Sequence, residues 1–599
     1  MRTTPGHVPG VGVNAGSATP RRSLSGRIWR YRTADERAVA AVVRATGTSD
    51  GLARLLVGRG IAPDQANTWL GPVGMPRLPG VSSVLDLDHA AALLADAVTQ
   101  RRRIGILGDY DVDGAASTAQ LVRYLRAAGV TTITHVPDRI AEGYGPSAAA
   151  IDRFRAAGTE LVVTVDCGIT AFASLQYAAE RCLPVVVVDH HVAEAELPAA
   201  AAIVNPNRSD DTSGLGMLTS SGLTWLLISR LHRELGHRGV RDALLPEPES
   251  FLDLAALGTV CDLAPLTGAN RDLVRRGLEI LARGGNPGLR AIAAAARLEE
   301  PPQASHFSFV YGPRINAAGR VGDPALGLRI LETDDPEEAD HVAGLLEGLN
   351  RRRQSLEAQA YDEAVTQAEA LGADAGPAVI VVGEGWHPGV IGIVASRLVN
   401  RFQQPAVVCV RERDQLRGSA RSLADIDIGT PVIRARRAGL LEKGGGHPMA
   451  AGFTGSSGRA GELVAFLKDE LAQARQPDSD ERALLLDGIL AVSGANVALG
   501  TELERAGPFG VGNPWPCFTF PRVFPVQARI VGSGHVSCLL ADETRGRVKA
   551  IAFRSEGTPV GNALLRGRPL DVAGQVQIST WRGQRRAEVH IQDVAKCHG

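Results

Sequence analysis

The segment Val185-Val186-Val187-Val188-Asp189-His190-His191 joins four consecutive valines to one carboxylate and two imidazoles. A strand that is apolar on both faces is typical of a parallel α/β sheet, where helices cover both sides. Ligands of such sheets bind beyond the carboxyl ends of the strands. The segment therefore predicts a buried strand that ends in polar residues at an edge suited to chemistry. A plain polar turn is the competing interpretation.

Two further apolar segments end in acidic residues in the same way. Ile104–Gly108 precedes a turn with a carboxylate at every second position, and Leu161–Val165 precedes Asp166. Closely spaced carboxylates repel one another unless a cation neutralises them. An EF-hand loop is excluded because its twelfth position, counted from Asp109, is Gln120 rather than glutamate. The polar residues after the three predicted strands are Asp109, Asp111, Asp113, Asp166, Asp189, His190 and His191.

These residues are expected to converge because helical segments separate the three strands. Strands connected in this way lie parallel, so their carboxyl ends meet at one edge of the sheet. Asp and His side chains together bind divalent cations. We therefore predict a site for two divalent cations, bridged by one of the aspartates. Asp262 also follows an apolar segment and is a candidate to complete the cluster.

The composition is that of a globular protein with several domains. The chain has 599 residues, of which 44% are hydrophobic and 22% charged, and this length predicts roughly three or four domains. The net charge of −1 confines any basic nucleic-acid-binding surface to a local groove. Seven scattered cysteines without a CxxC pair indicate a reducing, cytoplasmic location rather than a disulfide framework. We see no apolar segment long enough to cross a membrane and no secretory signal.

Periodicity and turn signals divide the chain into two α/β lobes and a C-terminal barrel. A single helix, roughly 55 Å long at about 1.5 Å per residue, is predicted to connect the lobes. Five short strands with glycine-rich turns predict a small barrel, for which the OB-fold is the candidate. The predicted parts are a disordered tail (1–27), a helical region (28–95), the larger α/β domain (96–333), the connecting helix (334–373), the smaller α/β domain (374–472), a linker (473–485) and the barrel (486–599).

Arginines among small residues mark candidate phosphate-binding segments. Gly312–Arg320 holds two arginines, and the predicted loop Arg417–Ser422 places Arg421 beside Ser422. Arginine binds phosphate bidentately, and small residues let the backbone approach a ligand. Gly444-Gly445-Gly446-His447 is predicted as a glycine loop whose N–H groups can hold a phosphate. An ordinary turn is the alternative interpretation of each segment.

Two other segments combine arginine with an aromatic residue. Arg139 and Tyr144 lie in one glycine-rich loop, and Trp581-Arg582-Gly583-Gln584-Arg585-Arg586 is a basic hairpin. Arginine can take a phosphate and an aromatic ring can stack on a base. A glycine-rich turn and a solvated hairpin explain the same residues.

Taken together, the motifs resemble those of the DHH phosphoesterase superfamily. The shared short motifs are Asp111-Val-Asp113, Asp166-Cys-Gly, Asp189-His190-His191 and the later Gly-Gly-His447. Longer strings, similar to those of the superfamily's bacterial single-strand-specific 5′→3′ DNA exonucleases, are Glu142-Gly-Tyr-Gly, Ala256–Asp262, Gly312–Arg320 and Pro508–Pro514. The resemblance covers about residues 50–599. It implies a parallel-sheet DHH domain, a smaller DHH-associated domain and an OB-fold-like domain.

The resemblance also implies a site for two Mn²⁺ or Mg²⁺ ions, with Asp166 as the bridge. Its metal ligands would be Asp109, Asp111, Asp113, Asp166, His190 and Asp262, and the catalytic residues Asp111, Asp113, Asp166, His190, His191 and Asp262. Its substrate contacts would be Arg314, Asn316, Arg320, Arg421, Ser422, Gly446 and His447. His191 would face the scissile phosphate, and Asp189 would support the histidines. The chain departs from the pattern at Leu226, where a basic residue is expected, and at Ala420, where glycine is expected.

The implied activity is hydrolysis of single-stranded DNA from the 5′ end to mononucleotides, in DNA repair and recombination, by a water that two cations activate. We expect a cytoplasmic monomer without membrane contact, and a single-strand-binding protein or a helicase as partner. One alternative is a DHH phosphodiesterase acting on short oligonucleotides or cyclic dinucleotides, which would not need a strand-holding barrel. A second alternative is a non-catalytic DNA-binding scaffold, which should have lost metal ligands that this chain retains.

Overall fold

The computed structural model describes residues 21–71, 83–139, 142–240, 245–372, 376–423, 425–474, 483–532, 534–581 and 584–597. These residues form two compact units. The residues up to Gly71 group with those from Ala483 onward, and residues 83–474 form the larger unit. Among the helices that are described, none combines the length and hydropathy needed to cross a bilayer.

The N-terminal segment contains two short strands before its helices. Its elements are β1 (Arg21–Arg22), β2 (Ile28–Tyr31), α1 (Glu36–Thr46), α2 (Asp50–Gly58) and α3 (Ala66–Leu70). The helices agree with the prediction that residues 28–95 are largely helical, and the strand at Ile28–Tyr31 departs from it. Ile28–Tyr31 is a strand because it pairs in parallel with Ala483–Leu486 from the far end of the chain and buries Trp29. Residues 1–20 of the predicted tail lie outside the described residues.

A five-stranded parallel sheet forms the centre of the larger unit. Its elements and the helices between them are α4 (Leu87–Thr99), β3 (Ile104–Gly108), α5 (Val112–Ala127), β4 (Thr132–His135), α6 (Ala148–Ala156), β5 (Leu161–Val165), α7 (Phe172–Ala179), β6 (Val185–Val188) and β7 (Ala202–Val204). The strand order is β4-β3-β5-β6-β7. Alternate residues of β6 enter two different apolar clusters, Val186 and Val188 the first, Val185 and Val187 the second. Both faces of the sheet are therefore covered, as the valine run predicts.

Helices follow the sheet and end in a long connecting helix. They are α8 (Ser220–His237), α9 (Leu252–Cys261), α10 (Gly268–Ala282), α11 (Pro287–Ala295), α12 (Ala304–His306), α13 (Gly312–Val321), α14 (Ala325–Glu332) and α15 (Pro336–Leu371). The connecting helix begins where it does because the Asp335 side chain caps it by accepting a hydrogen bond from the Glu337 N–H, with Pro336 in the first turn. Its 36 residues span roughly 54 Å.

A smaller mixed sheet follows the connecting helix within the same unit. Its elements are β8 (Val379–Glu384), α16 (Pro388–Phe402), β9 (Ala406–Glu412), β10 (Gln415–Arg421), α17 (Gly429–Arg437), β11 (Lys443–His447), β12 (Ala450–Ser456) and α18 (Ala460–Ala474). The strand order is β11-β12-β10-β9-β8. Two loop predictions are corrected here, because residues 417–421 lie in β10 and the three glycines lie in the edge strand β11. Gly418 fits a central strand because a Cβ there would lie 2.0 Å from the Phe453 ring.

The C-terminal segment closes a sheet on itself. Its elements are β13 (Ala483–Leu486), β14 (Gly488–Ile489), α19 (Val497–Glu504), β15 (Cys517–Val531), β16 (His535–Ala541), β17 (Arg547–Ala552), α20 (Pro559–Leu565), β18 (Leu570–Trp581) and β19 (Gln584–Lys596). The order is β14-β15-β16-β17-β19-β18, and β15 also pairs with β18. The five predicted strands correspond to β15–β19, so the prediction of a small barrel is confirmed. In the predicted linker, residues 475–482 lie outside the described residues and β13 follows them.

Candidate active site

The carboxyl ends of β3, β5 and β6 meet at one edge of the parallel sheet. Gly108 pairs with Val165, and Val165 pairs with Val188, so the residues after each strand lie side by side. Asp262 reaches the same edge from the end of α9. Its Oδ2 lies 3.7 Å from the Nε2 of His190. The structure therefore brings together the strand ends that the sequence pattern predicts, with Asp262 beside them.

Asp109, Asp111 and Asp166 form the first group of candidate metal ligands. Each offers a carboxylate oxygen, and these oxygens lie within 4.8 Å of one another. Within the described part of the chain, Asp109 Oδ1 and Asp166 Oδ1 are buried without a hydrogen-bond partner. Burial, and then the charge of Asp111, raises the pKa of Asp109 to about 8. Burial and the other carboxylates raise the pKa of Asp166 well above its usual value. Carboxylates that lack hydrogen bonds and repel one another are suited to bind a cation.

His190 and His191 form a second group with Asp166. One ligand atom from each lies within 4.8 Å of the others, and His190 Nε2 is 3.4 Å from Asp166 Oδ1. Burial, and then the charge of Asp113, raises the pKa of nearby Asp262 to about 8. Asp166 belongs to both groups, which is the position that a bridging ligand would occupy.

Asp113 is buried behind this cluster. Its Oδ2 accepts a hydrogen bond from the Ser220 N–H (2.8 Å), and its Oδ1 accepts one from the Ser221 N–H (3.1 Å) at the start of α8. Gly258 of α9 permits this approach, because a Cβ there would lie 2.3 Å from Asp113 Oδ1. Asp113 therefore links α5 to the start of α8 while Gly258 of α9 packs against it, and its predicted role as a metal ligand stays a prediction.

Asp189 is fully buried and orders the two histidines. Its Oδ1 accepts hydrogen bonds from the His190 N–H (2.8 Å), the His191 N–H (3.1 Å) and His191 Nδ1 (2.7 Å). Burial lowers the pKa of His191, but the hydrogen bond to Asp189 and the charges of Asp189, Asp262 and Asp111 together outweigh burial and raise the pKa to about 9. The Tyr144 hydroxyl donates to the Asp166 carbonyl oxygen (2.8 Å) and lies 3.2 Å from His191 Nδ1. These contacts fix the His191 ring and favour its protonated form.

Arginine side chains gather beside the carboxylates. Burial, and then the charges of Arg139, Arg353 and Arg421, lowers the pKa of Arg320 to about 10, and Asp111 acts on the same guanidinium. Arg353 pairs with Glu357. The Arg139 guanidinium lies over the Tyr110 ring, and that of Arg320 donates to the Gly389 carbonyl. The Arg421 guanidinium donates to the Ala420 carbonyl and to the Ser419 hydroxyl. Among the described residues these three groups have no carboxylate partner, so their charge is available to a phosphate.

Arg314 differs from these three arginines because its side chain has an acidic partner. Its Nε donates to the Glu347 carboxylate (2.8 Å), and its Nη1 donates to the Val310 carbonyl (2.8 Å). Its predicted contact with substrate phosphate therefore stays a prediction, since the side chain already has an acidic partner. Asn316 is half-buried on the same helix, and Arg320, one turn further on, is the residue of this motif that joins the cluster.

The predicted substrate contacts of the smaller sheet lie on or next to β10 and β11, the two strands that flank β12. Arg421 is opposite Ala450, which is in turn opposite His447. Ser422 is buried, and its hydroxyl has no hydrogen-bond partner within the described chain. Gly446 needs to be glycine, because a Cβ would lie 2.4 Å from the Ala450 carbonyl oxygen. The structure therefore groups these residues, although it forms strands where loops are predicted.

Two asparagines near the histidines were not among the predicted site residues. Asn205 Nδ2 donates to the His191 carbonyl (2.9 Å), and Asn207 Nδ2 donates to the His190 carbonyl (2.6 Å). The signal that could have found them is their position directly after the apolar strand β7, which places them at the same sheet edge.

Family models match three parts of the chain: the DHH family, N-terminal domain (residues 103–259), the DHHA1 domain (375–473) and the RecJ OB domain (486–593). The single-stranded-DNA-specific exonuclease RecJ of Escherichia coli is 33% identical over 568 residues, which cover 91% of this chain and 95% of the relative. The chain belongs to the RecJ family. The RecJ of Thermus thermophilus is 36% identical over 517 residues, which cover 85% of this chain and 71% of the relative.

Solved RecJ structures share this fold. The crystal structure of RecJ in complex with Mn²⁺ from Thermus thermophilus matches with a TM-score of 0.78 and 32% identity, covering 95% of this chain and 80% of that one. A structure of exonuclease RecJ bound to manganese matches with a TM-score of 0.57 and 36% identity, covering 68% of this chain and 97% of that one. The α/β lobes and the barrel are therefore a RecJ architecture, as the superfamily resemblance implies.

Proposed function

We propose that this RecJ-family chain is a hydrolase that degrades single-stranded DNA from the 5′ end to mononucleotides, in DNA repair and recombination. Relatives named as single-stranded-DNA-specific exonucleases, and RecJ structures with Mn²⁺ or Mg²⁺, support the proposal. The observation that carries it for this chain is the pair of clusters at one sheet edge. Within the described chain, Asp109 and Asp166 each have a buried carboxylate oxygen without a hydrogen-bond partner, and the charge of Arg139, which has no carboxylate partner there, acts on Asp109.

The donor set fits Mn²⁺ or Mg²⁺. Carboxylate oxygens suit both ions, and imidazole nitrogen suits manganese. The unpartnered oxygens of Asp109 and Asp166 are acceptors that a cation would satisfy. Asp109, Asp111 and Asp166 would hold one ion, and Asp166 and His190 the other, with Asp113 and Asp262 completing the set. Divalent cations in such sites supply Lewis acidity to phosphoryl oxygens and to water.

The arginine cluster would hold substrate phosphates. Guanidinium groups bind phosphate through paired N–H donors, and Arg139, Arg320 and Arg421 have no carboxylate partner in the part of the chain that the structure describes. Arg421 and the buried Ser422 hydroxyl belong to the smaller sheet, so the two lobes would grip one strand together. A 5′-terminal phosphate held in this way would place the first phosphodiester at the carboxylates and give stepwise release of mononucleotides.

His191 would act on the scissile phosphate as a hydrogen-bond donor. Asp189 keeps its Nδ1 side engaged, so Nε2 is the nitrogen left for the substrate. The thiols beside the site are not candidates for a nucleophile. Burial raises the pKa of Cys167 and of Cys261 well above the usual value, so both stay protonated. Direct attack by water therefore fits the site better than a covalent intermediate does.

The finer setting of this activity is also a proposal. A barrel of the RecJ OB type would hold the strand, since base stacking and basic grooves are the means by which such folds bind single strands. We propose that the chain acts as a monomer in the cytoplasm, on strands supplied by a helicase or covered by a single-strand-binding protein. All seven cysteines are free, which fits a reducing compartment. Light scattering of the purified chain tests the monomer.

Release of mononucleotides from a 5′-phosphorylated single strand, with and without Mn²⁺, tests the proposed function. The parent is expected to release them only with Mn²⁺, and Asp166→Ala is expected to release none. Equal activity in the variant, or none in the parent, would overturn the proposal. A dinucleotide cleaved faster than a long strand would favour the small-substrate phosphodiesterase instead.

A further inference from the structure

Asn205-Pro206-Asn207 follows β7 and has no role in the function proposed above. Val188 of β6 is paired with Val204 of β7, and the Asp189 N–H donates to the Val204 carbonyl (3.1 Å). The residues after the two strands are therefore neighbours at the sheet edge. This register places the two asparagines against the backbone of the two histidines.

Each asparagine holds the carbonyl of one histidine. Asn207 Nδ2 donates to the His190 carbonyl (2.6 Å) and to the Gly216 carbonyl (3.1 Å). Asn205 Nδ2 donates to the His191 carbonyl (2.9 Å). No other histidine of the described chain is held by an asparagine side chain in this way.

The orientation of both amides is fixed by their neighbours. Asn205 Oδ1 accepts a hydrogen bond from the Asn207 N–H (2.7 Å). If the Asn205 amide were flipped, its NH₂ group would face the Asn207 N–H, and two donors cannot form a hydrogen bond. Asn207 Nδ2 faces two carbonyl oxygens, which can only accept. Asn205 is fully buried, so its hydrogen bonds are protected from water. A donor is therefore required at both positions.

Asp189 completes the arrangement from the other side of the same peptides. Its carboxylate accepts from the N–H groups of His190 and His191, while the asparagines donate to their carbonyl groups. The backbone N–H and the backbone carbonyl of both histidines are thus hydrogen-bonded to side chains. The direction of each imidazole depends on its backbone, and a ligand misplaced by a fraction of an ångström loses affinity.

We propose that Asn207 is a positioning residue for His190 and that Asn205 is a positioning residue for His191. This inference rests on the proposed function, which makes His190 a metal ligand and His191 a phosphate contact. The two asparagines should then affect different steps. Loss of Asn207 should weaken metal binding, and loss of Asn205 should slow the reaction at saturating metal.

The test compares Asn207→Ala and Asn205→Ala with Asn286→Ala in the full chain. Asn286 is a matched control, because it is buried in the same unit and its Nδ2 also donates to a backbone carbonyl, that of Leu331 (2.8 Å). Calorimetric titration with Mn²⁺ alone gives the dissociation constant. Cleavage of a 5′-phosphorylated single strand at saturating Mn²⁺ gives kcat and KM. Thermal melting checks that each variant is folded.

Asn207→Ala is expected to bind Mn²⁺ about tenfold more weakly, with most of kcat restored at saturating Mn²⁺. Asn205→Ala is expected to keep the parent affinity and to lose about tenfold in kcat. Asn286→Ala should change only the melting temperature. Parent-like Mn²⁺ affinity in Asn207→Ala, or equal losses in the control, would overturn the inference. A parent that binds no Mn²⁺ would overturn the proposed function itself.

Two further variants keep the test sharp if an alanine variant does not fold. Gly216→Ala should reproduce the Asn207 effect, because a Cβ there would lie 2.3 Å from Asn207 Oδ1. Asn205→Leu keeps a similar branched shape and has no group that could donate to the His191 carbonyl. A Gly216→Ala protein with parent affinity for Mn²⁺, or Asn205→Leu with parent kcat, would contradict the assignment.

Discussion

Asp166→Asn should stabilise the chain without metal and remove the stabilisation that metal provides. Asp166 is 3% exposed, and its Oδ1 has no hydrogen-bond partner among the described residues. Its candidate ligand atom lies within 4.8 Å of those of Asp109 and Asp111. At that separation and an effective dielectric constant near 20, one pair of like charges costs about 3 kcal/mol. Protonation of Asp166 relieves part of this repulsion in the parent. We therefore expect Asp166→Asn to raise the free energy of unfolding by about 1–3 kcal/mol at pH 8.

These energies convert to small but measurable changes in melting temperature. The larger unit has about 400 residues, so its unfolding entropy is about 0.8 kcal/mol/K. The variant should then melt about 1–4 °C above the parent in a chelator. Mn²⁺ at a hundred times its dissociation constant should stabilise the parent by about 2.7 kcal/mol, or about 3 °C, and the variant by much less.

The pH dependence of the metal-free protein follows from the same carboxylate. Burial and the neighbouring acids raise the pKa of Asp166 in the folded state, so the folded state binds the proton more tightly than the unfolded state. The parent should gain stability as the pH falls through that raised pKa towards 4, and the variant should gain less.

Differential scanning calorimetry in chelator and in Mn²⁺ measures both effects. Asp340→Asn, an exposed residue of α15, is the control and should keep the parent response to Mn²⁺. An Asp166→Asn protein that melts below the parent in chelator, yet gains as much from Mn²⁺, would refute the reasoning.

Three other predictions concern the phosphate cluster, the histidines and the smaller unit. Arg320→Ala should raise the KM for a 5′-phosphorylated strand by about tenfold or more, which corresponds to the loss of one charged hydrogen bond. The exposed control Arg351→Ala should keep the parent KM, and equal KM values for the two variants would contradict the phosphate role. Asp189→Asn removes the partner that raises the pKa of His191 to about 9, so the alkaline limb of the kcat–pH profile should move to lower pH, and an unmoved limb would count against it. Trp29→Ala should destabilise the smaller unit by about 3–5 kcal/mol, because the buried indole also donates to Asp593 (3.1 Å); unchanged urea unfolding would disprove that packing.

The central strands were predictable because their signal is local. A run such as Val185–Val188 is buried wherever it lies in a parallel sheet, and the residue after it must reach the sheet edge. The same logic identified Asp166 and the acidic turn after β3. The position of these residues directly after a strand was enough to place them at the site, because the carboxyl ends of all strands of a parallel sheet lie at the same edge.

The errors concern residues whose partners lie far away in sequence. Ile28–Tyr31 is a strand only because Ala483–Leu486 lies beside it. The glycine stretch 444–446 looks like a loop until β12 pairs with it. The ion pair of Arg314 with Glu347 of the connecting helix was likewise beyond a local pattern, and the predicted phosphate contact of Arg314 stays a prediction.

Hydrogen-bond roles within the site were equally beyond sequence patterns. An acid in an Asp-x-Asp motif looks like a metal ligand, yet Asp113 already accepts two backbone hydrogen bonds from the start of α8. The carbonyl contacts of Asn205 and Asn207 depend on the register between β6 and β7, which no local pattern encodes. Spacing can identify the residues of a site, but their roles follow from their contacts.

The central claim is that the carboxylates at the strand ends hold the divalent ions on which cleavage depends. Anomalous diffraction at the manganese edge, from crystals of the full chain grown with Mn²⁺, tests it most directly. We predict one peak among Asp109, Asp111 and Asp166 and a second between Asp166 and His190, both lost in Asp166→Ala. An empty map at this edge, from protein that degrades single-stranded DNA in the same Mn²⁺ solution, would contradict the account.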